Sequence, residues 1–147
     1  MTEKKLEDLS NSAIYNIFAT DRTIHQVFAN YFSMTRLKVN PEQYLMLAAL
    51  RYGGPFNQQA LADFIHKDKA TMTRMIETLL KLGYVKRVQD KVDRRNKLIS
   101  ITEKGKQVHG SLHETFEKLC GYALKDIDEK KLDILVDCLS EIRKNLK

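Results

Sequence analysis

Apolar residues recur at helical spacing along most of this chain and give way to β-rich runs in only two places. Leu6, Leu9, Ala13, Ile17 and Ile24 lie near one stripe, and Ile14, Phe18, Val27, Phe28 and Tyr31 widen it. That predicts a long helix over about residues 6–31, with an apolar arc wide enough to need more than one packing partner. Residues 33–39 form a connector. Asn40, Pro41 and Gln43 then mark a helix start: a cap, a proline at the first position, and a glutamine able to close a capping box. Tyr44, Leu45, Leu47, Ala48 and Leu50 ride on that helix until Gly53, Gly54 and Pro55 stop it. Asn57 can cap a short helix whose Leu61, Phe64 and Ile65 make one apolar face. His66 and Lys67 make a turn, and Asp68 caps a second helix that runs to Lys81 or Leu82. Gly83 sits where a left-handed residue closes a helix. On that second helix Met72, Met75, Ile76, Leu79, Leu80 and Leu82 share one side. Two short β-rich runs, 84–88 and 98–101, flank a polar loop over 89–97. Thr102 to Gly105 opens another helix, with Val108, Leu112, Phe116 and Leu119 at helical spacing to about Leu124. The last helix begins after Asp128, where Leu132, Leu135, Leu139, Ile142 and Leu146 alternate steps of three and four, a short seam that Val136 broadens.

The expected fold is therefore mainly α with a small β-hairpin wing. Residues 40–102 form a winged helix-turn-helix module, flanked by N- and C-terminal dimerisation helices in 1–39 and 103–147. Helix, turn, helix and hairpin in that order make a DNA-reading arrangement, in which the first turns of the second helix enter the major groove deepest. There the chain offers Lys69, Ala70, Thr71, Thr73 and Arg74. Threonine methyls suit the thymine methyl, threonine hydroxyls suit bases or phosphates, and arginine can grip a guanine edge in two places. Glu77 and Lys81 lie further along and read as a solvated i,i+4 pair. The terminal seam of Leu132, Leu135, Leu139, Ile142 and Leu146, with Leu6 and Leu9 at the other end, reads as a homodimer interface. Readers of this kind match palindromic half-sites about 34 Å apart by two-fold symmetry.

Charge sharpens the picture. The net charge is +6. Residues 67–97 hold ten basic residues (Lys67, Lys69, Arg74, Lys81, Lys86, Arg87, Lys91, Arg94, Arg95, Lys97) against four acidic ones, which accounts for the whole excess. A positive field gathered on one motif is what a phosphate-binding surface needs. Basic residues at a hairpin tip can enter a narrow minor groove, and here Arg94 and Arg95 compete for that role. Arg87 either braces Asp90 or touches the DNA backbone.

At 147 residues with 43% hydrophobic content the chain is one domain, or a small domain with appendages, with enough apolar residues for a core. No apolar run reaches membrane-span length, and the charged opening stretch lacks a signal-peptide core, so a cytoplasmic protein is expected. Cys120 and Cys138 make no disulfide framework and read as small buried hydrophobes. Gly-rich phosphate loops, a nucleophile elbow and paired carboxylates are missing, which argues against an enzyme and against a cofactor. His109 and His113 stand four apart, a spacing that lets both reach one metal, with His25 as a third candidate. No HExxH pattern or cysteine cluster accompanies them, so no metal is expected.

The stretch LLKLGYVKRVQDKVDRRNKLISITEKG resembles the wing signature of the MarR transcription regulators: a helix ending in Gly83, a strand ending in Arg87, a D-x-R tip at Asp93 and Arg95, a return strand, then Thr102 and Gly105. KATMTRMIETL is similar to the family's recognition segment, with Met72 in place of a small aliphatic residue. The resemblance spans essentially the full chain. It implies that Arg95 is the arginine inserted in the minor groove, that Asp93 orients it by an ion pair, and that Lys91, Arg94 and Lys97 meet phosphates. It also implies an intertwined dimer built from the first and last two helices, and a repressor released by a small aromatic or phenolic effector. Tyr15, His25, Phe28, Tyr44, His109 and Phe116 are the candidate effector pocket. The acid–histidine pair that senses zinc in some members is replaced here by Gln43 and Tyr44. The first helix carries no cysteine of the peroxide-sensing kind. Rival readings are a winged-helix protein-interaction module and a metal-responsive regulator.

Overall fold

The computed structural model describes residues 3–147. Its elements are α1 (Glu3–Ser10), α2 (Ala13–Ser33), α3 (Pro41–Gly53), α4 (Gln58–Ile65), α5 (Lys69–Lys81), β1 (Val85–Gln89), β2 (Lys97–Ile101), α6 (Glu103–Ala123) and α7 (Glu129–Asn145). The long N-terminal helix expected from the apolar stripe is two helices. Ser10, Asn11 and Ser12 are short polar side chains that compete for backbone groups. Ser12 turns extended and its side chain accepts the Tyr15 N–H at 3.3 Å, while Asn16 Nδ2 donates to the carbonyls of Ser10 and Ser12 at 2.8 and 2.9 Å. The capping box of α3 forms as expected: Gln43 N–H donates to Asn40 Oδ1 at 2.8 Å, and Asn40 N–H donates to Gln43 Oε1 at 2.9 Å.

In the helix-turn-helix, Asn57 Oδ1 accepts the Ala60 N–H and Asp68 Oδ1 accepts the Thr71 N–H, both at 2.8 Å. His66 closes α4 in the left-handed region with φ 58°. Leu61 and Ala62 fill the inner face of α4, and Met72, Met75, Ile76 and Leu79 that of α5. Phe64 departs from expectation. It is exposed and lines an apolar groove with Leu45, Tyr52 and Phe56. The hairpin pairs Val85 with Ile101 and Gln89 with Lys97. Phe56 adds an isolated bridge to Ile99, with N···O distances of 3.1 and 2.7 Å, and so covers part of an otherwise open strand edge.

The junction of hairpin and α6 explains the T-x-x-G pattern. Gly83 takes φ 75°, which L side chains rarely adopt. Thr102 Oγ1 donates to the Gly83 carbonyl at 2.6 Å and accepts the Gly105 N–H at 3.0 Å. A Cβ on Gly105 would fall 2.1 Å from the Tyr84 carbonyl oxygen, so only glycine lets the first turn of α6 sit there.

The chain divides into two compact units, the first reaching to Phe116 and the second being Glu117–Lys147. The first holds a core in which Phe32, Met46, Leu47, Leu61, Met72, Ile76, Leu79 and Leu112 are fully buried. Each such side chain contributes roughly 1.5–3 kcal/mol. On α1 of the same unit, Leu6 and Leu9 are both 52% exposed. In the second unit Ile134, Leu135, Val136 and Leu146 are exposed, while Leu132, Leu139 and Ile142 are half-buried. Cys138 is exposed rather than buried, because it lies on that uncovered stretch of α7; Cys120 is half-buried. Burial, with Glu117 nearby, pushes the Cys120 thiol pKa up. No helix among the described residues is long and apolar enough to cross a membrane.

Candidate nucleic-acid interface

The outward side of α5 presents Lys69, Ala70, Thr73, Arg74, Glu77, Thr78 and Lys81, all exposed, with Thr71 half-buried. Its N-terminal turns are tied by a chain of hydrogen bonds. The Asp68 carboxylate accepts the Thr71 N–H and the Thr71 hydroxyl, both at 2.8 Å, and these bonds hold its pKa below the ordinary carboxylate value. Thr71 Oγ1 in turn accepts from the Arg74 guanidinium at 3.2 Å. Thr73 donates to the Lys69 carbonyl at 2.9 Å and accepts from Gln58 Nε2 at 2.7 Å; Thr78 donates to the Arg74 carbonyl at 3.0 Å. All three threonine protons are thus spent inside the protein. In the chain without DNA the helix therefore presents threonine methyls and the Arg74 guanidinium.

Glu77 and Arg87 also differ from expectation. Glu77 does not pair with Lys81 one turn on, and Arg87 does not brace Asp90. Arg87 NH2 meets Glu77 Oε1 at 2.6 Å, tying β1 to α5. The strand places the guanidinium against the helix, and the close geometry favours it over an i,i+4 neighbour.

The wing tip is ordered by its own short polar side chains. Asp90 Oδ1 accepts the Val92 N–H at 2.9 Å, and Asp93 Oδ1 accepts the Arg95 N–H at 3.0 Å. Gln89 Nε2 donates to the Arg94 carbonyl at 3.0 Å. The ion pair implied between Asp93 and Arg95 is therefore not what forms. The carboxylate takes the backbone amide two residues on, as an Asx turn does, leaving the guanidinium outside. Val92 at the tip is 96% exposed. Among the described residues, Lys69, Arg74, Lys91, Arg94, Arg95 and Lys97 form no ion pair, whereas Lys67 is held by Glu42 at 2.9 Å. Between α4, the first residue of α5 and the wing lies a polar depression of about 440 Å³ lined by Asn57, Gln58, Gln59, Ala62, Lys69, Asn96 and Lys97.

The residues expected to form an effector pocket are only partly gathered. Tyr44 stacks on His109 with centroids 5.0 Å apart and lies 4.5 Å from Phe116, and Phe28 meets Phe116 edge-on at 5.7 Å. Tyr44 OH and His113 Nδ1 are 3.0 Å apart. Tyr15, 44% exposed, joins none of these ring contacts. His25 belongs to another cluster. Its Nε2 lies 3.0 Å from Glu42 Oε1 and its Nδ1 3.1 Å from Asp21 Oδ1. Glu42, followed by Asp21, raises the His25 pKa; the bonds from His25 and Lys67 lower that of Glu42 against its own burial. The three histidines considered as metal ligands are accordingly not brought together. His109 is almost wholly buried. Its Nδ1 accepts from Arg51 NH1 at 2.9 Å, and its Nε2 has no hydrogen-bond partner. Burial, then Arg51 and His113, push its pKa down.

A helix-turn-helix with a hairpin wing and unpaired cations on both reading elements defines a winged-helix DNA-binding protein. Residues 39–97 match the model of the MarR family. The HTH-type transcriptional regulator SarZ of Staphylococcus haemolyticus (strain JCSC1435) is 25% identical over 137 residues, covering 93% of this chain and 90% of SarZ. The crystal structure of the transcriptional regulator SlyA is 26% identical with a TM-score of 0.77, covering 92% of this chain and 94% of SlyA. CouR from Rhodococcus jostii RHA1, crystallised bound to p-coumaroyl-CoA, shares the fold at 23% identity and a TM-score of 0.81, over 91% of this chain and 93% of CouR. The MarR family match thus falls on the helix-turn-helix and wing, and over nearly its full length the chain is similar to winged helix-turn-helix transcriptional regulators.

Proposed function

We propose that two copies of this chain bind a palindromic operator and repress transcription until a small acid releases them. Residues 40–102 read the DNA, and 1–39 with 103–147 pair the copies. The observation that carries the reading is the set of six cations, Lys69, Arg74, Lys91, Arg94, Arg95 and Lys97, that form no ion pair among the described residues. Ion pairing within the protein has not consumed them, so their charge is available to phosphates and groove edges. Arg74 addresses the major groove, Arg95 the minor groove, and the rest the backbone; Asp93 shapes the tip. Work on genomic duplex sets its place in the cytoplasm. Affinity for duplex should fall steeply as salt rises, by about tenfold per doubling for a handful of phosphate contacts. Arg95→Ala should weaken operator binding about tenfold in a gel-shift titration while the chain stays folded. A flat salt response would instead favour a protein-interaction module.

The effector reading rests on His109. A guanidinium only donates, so the bond from Arg51 makes Nδ1 an acceptor and leaves the proton on Nε2. That buried N–H lacks an acceptor, a state that costs about 1–3 kcal/mol. The carboxylate or phenol oxygen of an aromatic acid would satisfy it, with Tyr44, Phe28 and Phe116 as apolar lining. CouR, which carries an aromatic thioester in a chain of the same fold, supports that class of ligand. Phenolic acids should release operator DNA from the native chain and fail to release it from His109→Phe.

A further inference from the structure

We propose that Gln58, on the first helix of the helix-turn-helix, is a specificity-determining residue that works jointly with Thr73 of the second. This rests on the DNA-binding reading above. Thr73 gives its only proton to the Lys69 carbonyl at 2.9 Å, so the lone pairs of its oxygen face the incoming group from Gln58. The amide nitrogen of Gln58 donates there at 2.7 Å. Those two bonds fix the threonine rotamer and leave its methyl as the group it can present. The same bonds fix the glutamine. Its Oε1 has no hydrogen-bond partner among the described residues, and its second amide hydrogen is likewise uncommitted. One free acceptor and one free donor on a single carboxamide match the N6–H and N7 edge of adenine. A methyl beside them matches thymine. Gln58 and Thr73 together therefore read an A·T pair.

The position of the pair agrees with such a role. Gln58 follows the cap residue of α4, and it lines the polar depression with Asn57, Lys69 and Lys97, where α4 and the start of the recognition helix meet the wing. Its partner lies fifteen residues on, in the first turns of α5. The contact thus links the two helices where they face duplex.

The test begins with the native chain and a pool of random-sequence duplexes, from which bound molecules are selected and sequenced. Gln58→Ala is then profiled on the same pool. The ratio of affinity for the selected duplex over a scrambled one should fall about tenfold, with preference lost at one A·T pair in each half-site. Gln58→Glu, which accepts but cannot donate, should shift that pair from A·T towards C·G. Thr73→Val should cost several-fold less in the Gln58→Ala background than alone, because the pair acts as a unit. A base profile unchanged at every position in both Gln58 variants overturns the inference, as do strictly additive losses. If the native chain enriches no duplex, the DNA-binding reading falls with it; if it enriches one and both Gln58 variants keep the same base profile, this inference alone falls.

Discussion

Between Asn57 and Thr102 the helix ends are closed and the apolar side chains largely covered. Asp68 caps α5, Gly83 turns the chain into the hairpin, and Thr102 with Gly105 seats α6 against Tyr84. On α7 the cap is equally sound, with Asp128 accepting the Lys130 N–H at 2.8 Å, yet Ile134, Leu135, Val136 and Leu146, like Leu6 and Leu9 on α1, face solvent. Both regions are good local structure; only one buries its apolar side within a single chain. Exposed apolar side chains grouped in this way on each helix mark an interaction face. A symmetric regulator needs such a face, since a two-fold partner supplies the second half-site.

The sharpest break of this contrast is to charge the terminal face. Leu135→Asp combined with Leu139→Asp should convert the dimer proposed above to a monomer in sedimentation equilibrium. Operator affinity should fall by more than about a hundredfold, because linked half-sites gain from effective concentration. A pair that persists would move the interface elsewhere. The reverse experiment injures the reader and spares that face. In Gly105→Ala the new methyl meets the Tyr84 carbonyl at 2.1 Å. Unfolding in urea should show a loss of about 3 kcal/mol, the upper range for an overpacked site, with the two-chain assembly retained at low denaturant.

What was legible in the sequence follows the same division. Asn40 with Gln43, Asn57, Asp68 and Gly83 all act on neighbours within three or four residues, so their roles can be read from spacing alone. The burial of Met72, Met75, Ile76 and Leu79 follows from one period. The break at Asn11 was also visible, as Ser10-Asn11-Ser12, but a continuous apolar stripe overrode it in the reading. Other contacts could not be read, because they join different elements: Gln58 with Thr73, and Glu77 with Arg87. A glutamine next to a helix cap is the only signal Gln58 gives. The D-x-R resemblance implies a guanidinium as the partner of Asp93, whereas the nearer backbone amide of Arg95 takes the carboxylate. Exposure of Phe64 and Cys138 was hidden for a related reason, since helical spacing places a residue on a face without saying what lies opposite.

The smallest effect expected is one of pH, and it separates two histidines. Burial lowers the His109 pKa below the ordinary 6.5, with Arg51 and His113 adding to the shift. The folded chain prefers that ring neutral, so its contribution to stability is complete above about 6.5 and is lost as pH falls through the lowered value. His25 has the opposite sign. Its pKa is raised by Glu42 and Asp21, so its contribution is complete below 6.5 and fades as pH climbs past the raised value. Its side chain is 52% exposed, and solvent weakens the pair accordingly. Urea midpoints measured across pH 5 to 8, a range set to about 1.5 units either side of the free imidazole value, should therefore show both losses in the native chain. His109→Gln should remove only the acid-side decline, and His25→Gln only the shallower one above neutrality. An acid-side slope that survives His109→Gln unchanged would mean that another group causes it, and the neutral buried ring would lose this support in the effector argument.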